Sequence, residues 1–118
     1  MGDVYDKFRR SNLLILATPI HFSGPSSVIK TVIDRFQPLW FKGGEHPAYI
    51  AALLNGGGQS PNFNNTLSIF KAFSITAGMK WLGCLEISDT DNMRSRDVRE
   101  LSFEYGKEIG RIVTEDRK

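Results

Sequence analysis

Apolar residues in this chain come as short unbroken runs separated by segments of helical period. The first run, Leu13 to Ala17, is five residues with no polar interruption. That is too short for a membrane span and too uniform for a half-exposed strand, so it predicts a parallel strand over Asn12–Thr18, buried on both faces. Thr18-Pro19 should stop it, because proline gives no N–H to a ladder and restricts the residue before it. After a loop with helix-start chemistry (Ser23, Gly24, Pro25), apolar residues at Val28, Ile29, Val32, Ile33 and Phe36 lie on one helical face. Lys30 and Asp34, four apart, can pair on the other face. A second buried strand is expected at Ala48–Leu54 (AYIAALL) and a third at Lys80–Ile87 (KWLGCLEI). Between them a helix with Asn64 or Asn65 as N-cap turns Leu67, Ile69, Phe70 and Phe73 inward and stops at Gly78. The last helix should begin near Asp97, with Glu100 at capping-box spacing. Its apolar stripe is Val98, Leu101, Tyr105, Ile109 and Ile112. At the other end, DVYDKFRRS places Val4, Tyr5 and Phe8 on one side of a short helix, which reads as the end of a helix whose beginning is missing.

Three buried strands alternating with helices imply a parallel sheet joined by right-handed crossovers, with helices on both faces: an α/β three-layer domain over residues 1–118. The segment Gln37–Pro47 interrupts this order as a Pro- and Gly-containing loop that also holds Leu39, Trp40 and Phe41. Core packing or a subunit contact is the favoured role for these three, ahead of a ligand wall. A hydrophobic fraction of 41% with 24% charged residues is ordinary for a globular protein. The net charge of +2 is spread along the chain, without the basic footprint and interleaved aromatics of a nucleic-acid binder. One cysteine excludes an internal disulfide and a multi-cysteine metal site. The charged N-terminus has no signal-peptide core, and no apolar run reaches membrane-spanning length, so the expected location is cytoplasmic, away from membranes.

In open α/β sheets ligands bind beyond the carboxyl ends of the strands. Here those ends lead into Thr18-Pro19-Ile20-His21-Phe22-Ser23-Gly24 and into Asn55-Gly56-Gly57-Gly58-Gln59. Three successive glycines permit unusual backbone conformations and let a flat ligand approach the main chain. The single candidates have bland readings: Cys84 a small buried hydrophobe, His46 a turn residue, Trp40 and Trp81 packing residues. His21 has no acid or nucleophile beside it in sequence and reads as a hydrogen-bonding loop residue rather than a proton donor.

Taken as a whole, ATPIHFSGPSSVIKTVIDRF resembles the signature of the flavodoxin-like FMN reductases, a group that includes the iron–sulfur flavoproteins. In that family a buried strand ends in Ser/Thr-Pro, an aromatic-containing loop with glycine follows, and a helix ends Lys-x-x-x-Asp-Arg. NGGGQS and the segment up to TAGMKWLG resemble the family's fourth strand, glycine loop and the helix leading to its fifth strand. The similarity runs from about Val4 to Val113. It implies a flavin site in which Thr18 to Gly24 lie along the ribityl chain and one edge of the isoalloxazine, while Asn55 to Gln59 meet its other edge. FMN would be the cofactor and NAD(P)H the co-substrate. Hydride transfer from a nicotinamide needs no protein acid or base, so no catalytic side chain is assigned.

The departures from the family pattern matter as much. The family's sheet order is 2-1-3-4-5, and this chain matches only its last three strand–helix units. The first strand, its Ser/Thr/Gly-rich loop and the helix that together cradle the FMN phosphate have no counterpart, nor is there an iron–sulfur cysteine cluster. Losing about three charge-assisted hydrogen bonds at roughly 1.5–3 kcal/mol each would weaken FMN binding by on the order of 5–9 kcal/mol. The strand Asn12–Thr18 would also be left as an apolar edge, which has to be covered. Three coverings are expected to compete: a second copy of this chain forming a homo-oligomer, a second subunit supplying the N-terminal half, or the chain's own loop. Two functions follow. The first is an FMN-dependent NAD(P)H oxidoreductase of flavin or quinone reductase type that works only when a phosphate-binding half is restored. The second is a non-catalytic flavodoxin-like interaction module that has lost FMN.

Overall fold

A computed structural model describes residues 2–20, 24–36 and 45–116. Helix α1 (Gly2–Arg10) leads into strand β1 (Leu13–Pro19), then come α2 (Ser27–Arg35), β2 (Tyr49–Asn55), α3 (Asn64–Ala77), β3 (Lys80–Ile87), a short 3-10 turn (Thr90–Asn92) and α4 (Ser95–Asp116). The strands form one sheet in the order β1-β2-β3 with both pairings parallel. Crossovers of helical length are what parallel neighbours require, so the expected α/β architecture is present. β1 ends at Pro19 as expected, with Pro19 itself the last residue, in register with Asn55. Its missing N–H costs nothing there, because β1 is paired on one side only among the described residues.

The two faces of the sheet are covered unequally. On the front face, Leu14 and Leu16 of β1 and Ile50, Ala52 and Leu54 of β2 pack with residues of α1, α2 and α3 into one core. Phe36 joins three of these elements: it stacks on Phe8 at 4.3 Å and on Phe73 at 6.1 Å, and lies 5.9 Å from the ring of Tyr5. Tyr5 Oη donates to the Arg35 carbonyl at 2.6 Å and fixes α1 against the end of α2. On the back face α4 packs on β2 and β3. Ile109 is its fully enclosed contact, and Tyr105 reaches Gly83. At the foot of the sheet Asp116 accepts from Tyr49 Oη at 2.6 Å and from Lys80 Nζ at 3.3 Å, tying the end of α4 to the starts of β2 and β3.

This asymmetry overturns the expectation that β1 is buried on both faces. Leu16 and Thr18 are buried, but Ile15 keeps 43% of its surface exposed, and Ala17 on the same back face is exposed as well. The main contacts of α4 on this face are with β2 and β3. Three apolar helix positions also point outward rather than into their stripes: Val4 (41% exposed), Val28 (71%) and Leu101 (43%). Cys84 is half-buried rather than enclosed, with its thiol 3.6 Å from Glu86. Burial and the Glu86 carboxylate push that thiol up to about 11, so it stays protonated and unreactive at neutral pH.

The caps also differ in detail from the expected ones. The N-cap of α3 is Phe63, not Asn64 or Asn65, and makes no side-chain cap hydrogen bond; Asn62 just before it accepts from Asn64 N at 3.0 Å through its side-chain oxygen. α4 begins two residues before Asp97, whose carboxylate instead reaches back to Arg94 N at 3.3 Å as the closing half of a capping box. Gly78 ends α3 in the left-handed region at φ 77°, and Met79 N donates to Ser74 O at 2.9 Å in a Schellman closure. The Lys30–Asp34 pair forms as expected, at 2.8 Å. The segment holding Leu39, Trp40 and Phe41 lies outside the described residues.

Candidate functional site

The carboxyl ends of the three strands open into three loops that hydrogen bonds join into one rim. Thr18, 1% exposed at the end of β1, does two jobs with one hydroxyl: Oγ1 donates to Pro19 O at 2.9 Å and accepts from Ser26 N at 2.9 Å. It thereby pins together the two ends of the loop that carries Ile20 to Pro25. Ser26 in turn caps α2, accepting from Ile29 N at 3.3 Å. Ile20 N donates to Asn55 O at 2.9 Å, which ties this loop to the glycine loop. Of the expected site residues, His21, Phe22 and Ser23 lie outside the described residues; Thr18, Pro19, Ile20, Gly24, Asn55, Gly56, Gly57, Gly58 and Gln59 are all at this rim or lead into it.

The three glycines meet three different surroundings. A Cβ on Gly56 would lie 2.5 Å from Cγ of Pro61, and one on Gly57 would lie 2.6 Å from the Asp91 carboxylate. Their lack of side chains therefore serves the loop's own packing. A Cβ on Gly58 would meet nothing within 4 Å. Only Gly58 offers the open backbone approach that the sequence pattern implied for all three.

The partner of the glycine loop is the polar turn after β3. Asp89 N donates to Gly58 O at 2.6 Å, Thr90 N to Gly56 O at 3.1 Å and Asp91 N to Gly57 O at 3.4 Å. Asp89 takes the left-handed conformation (φ 59°), and its carboxylate accepts from Asn92 Nδ2 at 2.8 Å. The signal was the run Asp-Thr-Asp-Asn: short polar side chains of this kind tolerate that conformation and fold back on their own turn. With all three glycine carbonyls engaged, the backbone N–H groups of Gly57, Gly58 and Gln59 have no hydrogen-bond partner among the described residues. The rim therefore presents unpaired donors beside an open approach, which suits the carbonyl and nitrogen acceptors along one edge of a flat heteroaromatic ring.

Its charge suits a phosphate poorly. None of the three loops (TPIHFSGPS, NGGGQS and SDTDNM) contains a lysine or arginine, whereas Asp89 and Asp91 stand at the glycine loop. Arg94, next along the chain, is held by Asp97 at 3.3 Å. The residues present fit the ring end of a flavin and not its phosphate end. Among the described residues no group of three His, Cys, Asp or Glu side chains could hold a metal ion.

The family model for NADPH-dependent FMN reductase matches residues 1–89, which span all three strands and the rim as far as Asp89. The chain belongs to the NADPH-dependent FMN reductase family. Solved structures agree on its fold. A flavodoxin, WrbA-like protein from Agrobacterium tumefaciens aligns with a TM-score of 0.63 at 21% identity, covering 70% of this chain and 52% of its own. An NADPH-quinone reductase from P. pentosaceus aligns with a TM-score of 0.65 at 14% identity, covering 88% of this chain and 70% of its own. At these identities the likeness establishes a shared flavodoxin-like α/β fold. The chain spans about half the length of the first of these structures. A search of curated proteins returns no match.

Proposed function

We propose that this chain supplies the ring-binding part of an FMN-dependent NAD(P)H oxidoreductase of flavin or quinone reductase type, a cytoplasmic enzyme whose phosphate end is held by another segment. The observation that carries this is the rim itself: open space at Gly58 beside N–H groups of Gly57 to Gln59 that have no partner among the described residues. Family membership and the named activity of the P. pentosaceus neighbour support it. FMN, when bound, would supply the chemistry of hydride acceptance from a nicotinamide and two-electron delivery to an acceptor. The chain's own residues position rather than react. Thr18 holds the first loop closed onto α2, the turn at Asp89–Asp91 holds the glycine loop in place, and the backbone of Gly57 to Gln59 offers donors to the ring edge. No side chain of this chain needs to move a proton.

The missing phosphate holder sets the expected strength. A nanomolar flavin site is worth about 12 kcal/mol. Removing on the order of 5–9 kcal/mol of phosphate contacts leaves roughly 3–7 kcal/mol, a Kd of about 10 μM at best. Titration of FMN fluorescence with the purified chain tests the assignment. Quenching in the micromolar to low-millimolar range that weakens when Gly58 is replaced by valine supports it. No quenching in any oligomeric form overturns it, and the non-catalytic interaction module then takes its place.

A further inference from the structure

Asp91 brings a negative charge to the rim. Its backbone N–H donates to Gly57 O at 3.4 Å, which ties the residue to the glycine loop. Its carboxylate fills the space that a Gly57 side chain would take, with one oxygen 2.6 Å from the Cβ position. Asp89 turns its carboxylate to Asn92 Nδ2 at 2.8 Å, whereas the Asp91 carboxylate has no hydrogen bond or ion pair among the described residues. No lysine or arginine in the three rim loops offsets it, and Arg94, the first cation that follows in the chain, turns to Asp97 at 3.3 Å. Asp91 also lies just beyond residues 1–89, the part of the chain that the family model matches. Bond lengths bound how far this charge stands from a ligand. A Cβ is about 2.5 Å from the nitrogen of its own residue, so the Asp91 oxygen is within about 5 Å of Gly57 N. An acceptor bonded to that N–H at about 2.9 Å is then within about 8 Å of the carboxylate.

We infer that Asp91 tunes the redox balance of the ring held at this rim: its negative charge weakens binding of the reduced ring relative to the oxidised one and so lowers the ring's reduction potential. The inference rests on the proposed function for the presence of the ring. Hydride transfer from a reduced nicotinamide breaks one C–H bond and forms one N–H bond. Both electrons of the broken bond pass to the ring, which goes from neutral to singly negative, while the nicotinamide becomes a cation. The oxidised ring carries no net charge for Asp91 to repel, and the reduced ring carries one. The sign of the effect follows from charge alone, whichever ring edge meets the loop. At about 8 Å, in surroundings between protein and water, one such repulsion changes affinity by about threefold to tenfold. For a two-electron couple that is about 15–30 mV.

The test is isothermal titration of the purified chain with FMN, once oxidised and once photoreduced in the absence of oxygen, read as the ratio of the reduced to the oxidised Kd. The phosphate is common to both forms and cancels in that ratio, as does any disturbance of the loop that weakens both alike. In Asp91→Asn the ratio should fall by about threefold to tenfold. In Asp91→Glu, which keeps the charge, it should stay within about twofold of the native value. Added salt should lower the native ratio toward that of Asp91→Asn, because about 8 Å is the screening length at physiological ionic strength. A native ratio in Asp91→Asn, or a ratio in Asp91→Glu that matches Asp91→Asn, would overturn the inference and leave the proposed function standing. Failure of oxidised FMN to bind at all would remove the proposed function and this inference with it.

Discussion

Gly56, Gly57 and Gly58 are adjacent in sequence and answer to different constraints, and that difference can be measured. Gly56→Ala forces a methyl group into the Pro61 ring, which cannot swing away. Overpacking of this kind costs about 1–3 kcal/mol, seen as a lowered denaturation midpoint. Gly57→Ala meets only the end of the Asp91 side chain, which can rotate outward, so its cost should be smaller. Gly58→Ala should leave stability within about 0.5 kcal/mol and change flavin affinity alone. A second residue-scale prediction concerns Tyr105, whose hydroxyl is enclosed with no hydrogen-bond partner among the described residues and is pushed up to about 12 by burial, the Cys84 thiol and Glu108. An unpaired buried hydroxyl is a cost, so Tyr105→Phe should be neutral or stabilising by up to about 1 kcal/mol in thermal unfolding. At this scale the sequence showed that three glycines follow a buried strand. It could not show which one faces a ligand, because Pro61 and Asp91 reach the glycines only after the chain has folded back.

Among the elements, the front face holds through Phe36, which links α1, α2 and α3. Phe36→Ala removes a side chain only 4% exposed and three ring contacts. It should cost about 3–5 kcal/mol by denaturant unfolding. The back face holds differently, through the Asp116 link to Tyr49 and Lys80. The Tyr49 hydrogen bond, then that of Lys80, then its charge hold the Asp116 carboxyl below its ordinary value of 3.8. A lowered carboxyl pKa stabilises the fold above the unfolded value and loses that effect as pH falls through the folded one. The melting-temperature gap between the native chain and Asp116→Asn should therefore be full above about pH 5 and close as pH falls below 3.8 through the lowered folded value. Element order, the Lys30–Asp34 pair and the bounds of β3 were all legible from periodicity. The starts of α3 and α4 were not, since several Asn and Asp residues compete near each helix start and only backbone geometry chooses among them.

At the level of the whole molecule, β1 is the most informative disagreement. Its unbroken run Leu13–Ala17 asked for cover on both faces, and the described residues cover one. The run of apolar residues is thus longer than the one-sided cover among the described residues calls for. The same logic applies to the rim, where ring-edge donors are in place and phosphate-binding charge is not. Both are what the proposed division of FMN between this chain and another segment requires. The most direct test compares FMN with riboflavin, which lacks the phosphate, by isothermal titration against the purified chain. The two Kd values should agree within about threefold, a difference below 1 kcal/mol. A preference for FMN of about a hundredfold or more, close to 3 kcal/mol, would mean that these residues already hold the phosphate and would contradict the account.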